Sequence, residues 1–93
     1  MTPGLRLLPW ASPEGKPCYL SADDPDSPLS RLADEVEEDQ LADGERVLEG
    51  ARAVLGDPKA GEHAARSALA RATESLRETI RVARSRGARL PTP

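Results

Sequence analysis

The sequence is short of most of what marks an enzyme, a metalloprotein or a membrane protein. Among 93 residues the only aromatics are Trp10 and Tyr19, with no phenylalanine at all. Cys18 is the single cysteine, so no internal disulfide can form. A small secreted domain is normally stapled, and its absence here points to a reducing, cytoplasmic setting. His63 is the single histidine, so neither zinc-ligand spacing nor a Glu-x-x-His pair can be assembled. No window approaches the ~20 consecutive apolar residues of a membrane span. The first ten residues carry one positive charge and a proline within a short apolar run, unlike a signal peptide. Glycine-rich phosphate loops, Ser/His/Asp sets and CxxC motifs are missing. A chain this short buries only ~60–65% of its unfolded surface, which leaves little to wall off a dry pocket. The expectation is a cytoplasmic, non-enzymatic protein with no cofactor, no metal and no membrane contact.

What is present is charge, at 31% of residues, with 13 basic and 16 acidic side chains for a net −3. Eleven of the 13 basic residues are arginine, and alanine occurs 14 times. The signs are segregated: residues 1–58 hold 13 acidic and 5 basic side chains, residues 59–93 hold 3 acidic and 8 basic. An acidic half followed by a basic half calls for a pairing partner, internal or external.

The chain reads as one small domain, 1–93, in five parts. Residues 1–20 form an arm or short β-hairpin. Its apolar runs are Leu5-Arg6-Leu7-Leu8 and Cys18-Tyr19-Leu20, with turn residues Ser12-Pro13-Glu14-Gly15 between them. Pro9 and Pro17 each remove a ladder donor, so the strands are short or at an edge. Two strands alone are marginal in water, so this arm must lie on something. Residues 21–28 are a Pro- and Asp-rich linker.

Helix one is expected over 28–55, with Ser27 as N-cap, Pro28 in the first turn and Gly56-Asp57-Pro58 as the stop. Its apolar stripe runs Leu29, Leu32, Ala33, Val36, Gln40, Gly44, Val47, Leu48, Ala51, Val54, Leu55. Helix two is expected over 60–86 with the stripe Ala65, Ala68, Leu69, Ala72, Leu76, Ile80, Ala83, then Gly87 as C′ residue and a tail over 87–93. Two long helices on a short loop give a mainly α protein, an antiparallel helical hairpin with an N-terminal arm. Gln40, polar in an apolar seam, resembles residues that set register in coiled coils. Below ~70–80 ordered residues a scaffold without disulfide or metal usually needs further burial. A homodimer forming a four-helix bundle is therefore expected.

A loop centred near residue 59 sets Asp34, Glu37 and Glu38 opposite Arg84, Arg81 and Ile80, so the acidic run 34–39 is expected beside Arg77, Arg81, Arg84 and Arg86. The acidic run then has a structural account as an arginine-paired face rather than a metal site. Leu7, Leu8, Trp10 and Tyr19 are the candidate apolar anchor for a protein partner, since aromatic anchors are enriched at binding hot spots. Asp34, Glu35, Glu37 and Glu38 are the candidate steering charges. Arg77, Arg81, Arg84 and Arg86 are the candidate phosphate contacts of an alternative, nucleic-acid-associated role, though no interleaved aromatics accompany them.

The segments Leu5-Arg6-Leu7-Leu8-Pro9-Trp10, Gly15-Lys16-Pro17-Cys18-Tyr19-Leu20, Ser30-Arg31-Leu32-Ala33-Asp34 and Ser85-Arg86-Gly87-Ala88-Arg89-Leu90-Pro91 resemble a group of small actinobacterial, streptomycete-type helical proteins of unknown function. The resemblance runs through most of the chain and includes no catalytic motif. It implies a regulatory or accessory role and transfers no functional residue. The sequence is thus read as a protein-interaction module, an adaptor or regulatory accessory protein.

Overall fold

The computed structural model describes residues 4–21 and 25–89. The start of the expected arm (1–3), part of the expected linker (22–24) and the end of the expected tail (90–93) lie outside the described residues. The protein is mainly helical, with a two-stranded antiparallel sheet of β1 (Leu5–Ala11) and β2 (Pro17–Ser21) followed by α1 (Pro28–Leu55) and α2 (Glu62–Arg89) packed on each other.

Local chemistry accounts for each boundary. Gly15 takes φ 81°, a left-handed conformation that closes the hairpin without strain. Its N–H donates to the Ser12 carbonyl at 2.8 Å. The strands pair Leu5 with Ser21, Arg6 with Leu20 and Leu7 with Tyr19, then slip between Leu7 and Ala11, where Pro9 has no N–H to give the ladder. At α1, the Ser27 hydroxyl accepts from the Ser30 N–H at 3.2 Å and satisfies an orphan donor. Gly56 ends α1 with φ −83°, so the stop does not use a left-handed residue. Gly87 does not end α2, which continues to Arg89; no positive φ is taken there, and a glycine inside a last turn costs only ~1 kcal/mol.

The helix seam keeps the small and medium residues of the expected stripes, among them Ala33, Gln40, Gly44, Val47, Ala51, Val54, Ala68 and Ala72, but not their large apolar residues. On α1 Ser30, Ala33, Glu37, Gln40, Gly44, Val47, Ala51 and Val54 are buried or half-buried at an alternation of three and four, with Val36, Leu41 and Asp43 half-buried beside them. On α2 the buried ones are Ser75, Val82 and Ser85, with Ala64, Ala68, Ala72, Glu78, Thr79 and Arg81 half-buried. Small residues let the backbones approach closely, and the large apolar side chains are displaced to the flanks. Leu69, Leu76 and Ile80, expected in the seam, are exposed, as are Leu29, Leu32, Leu48 and Leu55. One residue of a helix turns by about 100°, so Leu69 and Leu76, each following a seam residue (Ala68, Ser75), look sideways.

Gly44 marks the close approach, since a Cβ there would lie 3.2 Å from the Ser75 Oγ. Gly44→Leu is expected to destabilise by about 1–3 kcal/mol through overpacking. Gly50 has open space around the same position, and Gly50→Ala is expected to stabilise by about 0.5–1 kcal/mol. Thermal melts of the two variants moving in the same direction would contradict this seam.

Candidate functional site

The most deeply buried large side chain is charged. Glu37 is 1% exposed, on the seam face of α1, and three arginines converge on it. Arg6 from β1 sits with Nη2 3.4 Å from Oε2, while Arg86 Nε and Arg89 Nη2 from α2 each lie 3.4 Å from Oε1. The shorter bonds surround this centre: Arg6 donates to Asp34 at 2.7 Å and to the Ser30 carbonyl at 3.0 Å, and Arg86 to Glu38 at 3.0 Å. Ser85 Oγ accepts from Arg89 at 2.6 Å and donates to the Leu7 carbonyl at 2.9 Å. Gln40 donates from Nε2 to the Pro9 carbonyl at 2.8 Å, where the strand slips. Strand, first helix and last turns of the second helix are thereby tied at one point. Arg86 is held above the ordinary arginine pKa, foremost by its hydrogen bond to Glu38, with burial opposing and the Glu37 charge adding. A raised arginine pKa keeps this pairing in place until pH climbs into the strongly alkaline range.

This cluster changes the reading of the acidic run. Asp34, Glu37 and Glu38 are partnered within the chain, and a carboxylate as buried as Glu37 steers nothing. Of the four arginines expected beside this run, Arg86 pairs with it, joined by Arg89, while Arg77, Arg81 and Arg84 do not. Helical side chains lean toward their own N-terminus, so in an antiparallel pair both partners reach past the level of their Cα atoms. Glu37 therefore meets Arg86 and Arg89, further along α2 than the Arg81 level. Glu35 is exposed and makes no ion pair among the described residues. Arg6, the residue that sequence reasoning missed, had a signal: alternation along β1 puts it on the same face as Leu8, and that face turns inward.

The apolar arm divides in two. Leu8 is 5% exposed and Pro9 is buried, both against the helices, and Trp10 is half-buried. Leu7 and Tyr19, paired across the strands, share the outer face, where Tyr19 is 57% exposed. Beside that face runs a groove of about 480 Å³, open to solvent. Leu7, Ala11 and Pro17 form its hairpin wall; Leu76 and Ile80 form its α2 floor; Arg77, Arg81 and Arg84 rim it. None of these three arginines has an ion-pair partner among the described residues. Arg86, expected with them, is taken by the Glu37 cluster. The fold thus joins residues from two separate expectations, the apolar anchor and the basic stripe, in one groove. Among the described residues no group of His, Cys, Asp and Glu could hold a metal ion, and no helix is long and apolar enough to cross a membrane.

No protein-family model, curated protein or solved structure matches the chain.

Proposed function

We propose that this chain is a non-enzymatic interaction module: a helical hairpin that pairs with a second copy of itself and offers a surface to a protein partner. The observation that carries the reading is the placement of the leucines. Leu48, Leu55 and Leu69 are 52%, 86% and 67% exposed on the loop half of the helix pair, while Leu8, Ala33, Val47 and Val82 are the buried hydrophobics among the described residues. Leu41, Leu48 and Leu55 recur every seventh residue beside the seam, and Leu69 lies on the matching flank of α2. Each leucine removed from water contributes about 1.5–3 kcal/mol, which a small scaffold of this kind needs.

Charge selects how two copies meet. α1 carries eight acidic and three basic side chains, α2 three acidic and seven basic. A twofold axis parallel to the helices sets α1 against the partner's α2 and keeps like charges apart. The product is a four-helix bundle with both loops at one end. The lone Cys18 suits a reducing compartment, which supports a cytoplasmic setting.

Light scattering at high micromolar concentration should give twice the 10.0 kDa of one chain. The L48E/L69E double variant should fall to a single chain while keeping its helical circular dichroism. The melting temperature of the wild type should also rise with protein concentration. A wild-type mass of one chain, with a concentration-independent melt, overturns the self-association.

A further inference from the structure

We infer that the groove between the hairpin and α2 is the docking site for an acidic, amphipathic segment of a partner protein. The inference rests on the interaction-module reading and names the chemistry of its partner. The groove, with Leu7 on its hairpin wall and Leu76 and Ile80 on its floor, is aliphatic and half-open, the form that receives the apolar side chains of another chain rather than an enclosed small molecule. Arg77, Arg81 and Arg84 follow one another at spacings of four and three along α2, so their guanidinium groups line the same side of the helix. An amphipathic helix repeats its anchors at that spacing too, so leucines on the floor would bring flanking carboxylates within reach of the three cations. From Thr73 to Arg84 the groove floor rises about 16 Å, or three turns of such a helix.

Charge complementarity favours an acidic peptide over nucleic acid. The protein as a whole is net −3, and Glu74 and Glu78 stand on the same stretch of α2 as the three arginines. The net charge opposes any anion, but Glu74 and Glu78 break up the basic stripe, so a continuous phosphate backbone meets like charge between its contacts while a peptide sets its few carboxylates at the three arginines alone. Base stacking needs aromatic platforms, and no aromatic side chain lines the groove.

The test uses the full chain and a fluorescein-labelled helical peptide of Leu-Leu-Glu-Glu repeats, with a Leu-Leu-Lys-Lys peptide, short duplex DNA and short single-stranded DNA as comparison probes. Fluorescence anisotropy should show binding of the acidic peptide alone. The R77E/R81E/R84E variant should weaken it by about tenfold or more, as should Ile80→Asp, while Arg66→Glu outside the groove leaves it unchanged. No binding of the acidic peptide, binding indifferent to both groove variants, or tighter and steeply salt-dependent binding of either DNA overturns the proposal. Light scattering on the same samples separates the two readings. A dimer that ignores the peptide removes the groove and leaves the self-association; a single chain that binds it does the reverse.

Discussion

Glu37→Ala is expected to cost about 3–5 kcal/mol, the loss that follows when one member of a buried charge cluster is removed. The cost falls mainly on Arg6, whose side chain is 7% exposed and stays inside with its charge opposed only by Asp34 at the edge. Arg86 and Arg89 reach water and can swing outward, so they add little. For a domain of this size each kcal/mol is worth about 4–8 °C, so the melting temperature should drop by about 12–40 °C. Desolvation also predicts a rescue. A cluster emptied of both charges, R6M/E37M, keeps the volume and leaves no orphaned ion, so it should recover most of the loss. Thermal and urea melts of the three proteins decide the matter. A Glu37→Ala variant within about 0.5 kcal/mol of wild type would mean that the cluster holds nothing together.

The arm supplies the second large effect. Leu8 and Tyr19 both looked like partner anchors in the sequence, but the strand turns them to opposite faces. Leu8→Ala should destabilise by about 2–5 kcal/mol, because it opens a cavity where β1 meets the helices. Tyr19→Ala removes an exposed ring and should change stability by no more than about 0.5 kcal/mol. Trp10, the single tryptophan, reports which has happened. Its emission should shift to the red in Leu8→Ala as the hairpin loosens, and should stay put in Tyr19→Ala. Equal stability losses in the two variants would contradict the division of the arm into an inner and an outer face.

Much of the fold is legible in the sequence because it depends on local chemistry. Ser27 before Pro28 starts a helix, Asp57-Pro58 ends one, and Ser12-Pro13-Glu14-Gly15 turns a hairpin, each for reasons contained within a few residues. The seam was harder to see. Apolar periodicity finds Ala68 and Ala72 on α2 but also points to Leu69, Leu76 and Ile80, whereas the rest of the packed face is built from Ser75, Val82 and Ser85. Close approach at Gly44 rewards small residues, and a serine can enter because Leu7 offers it a backbone carbonyl. That carbonyl belongs to a strand 78 residues away, which periodicity does not register. The same limit hid the site. The segregation of charge called for a partner, internal or external, and among the described residues the chain supplies one for Arg86 and Arg89 but not for Arg77, Arg81 or Arg84. Which arginines pair depends on side-chain lean and on Arg6 arriving from the arm. Only when Arg86 and Arg89 are assigned to Glu37 do Arg77, Arg81 and Arg84 stand apart, beside Leu7, as the rim of a groove.

The central claim is that a second copy covers the displaced leucines, with α1 lying on its partner's α2. Disulfide trapping tests it most directly. In a Cys18→Ser background, one chain carries Leu48→Cys and another Leu69→Cys, and the two are mixed and oxidised under mild conditions. The twofold bundle predicts a mixed disulfide between the two variants that exceeds either like-with-like product. Unlinked chains throughout, or a dominant Leu48→Cys self-link, would contradict it.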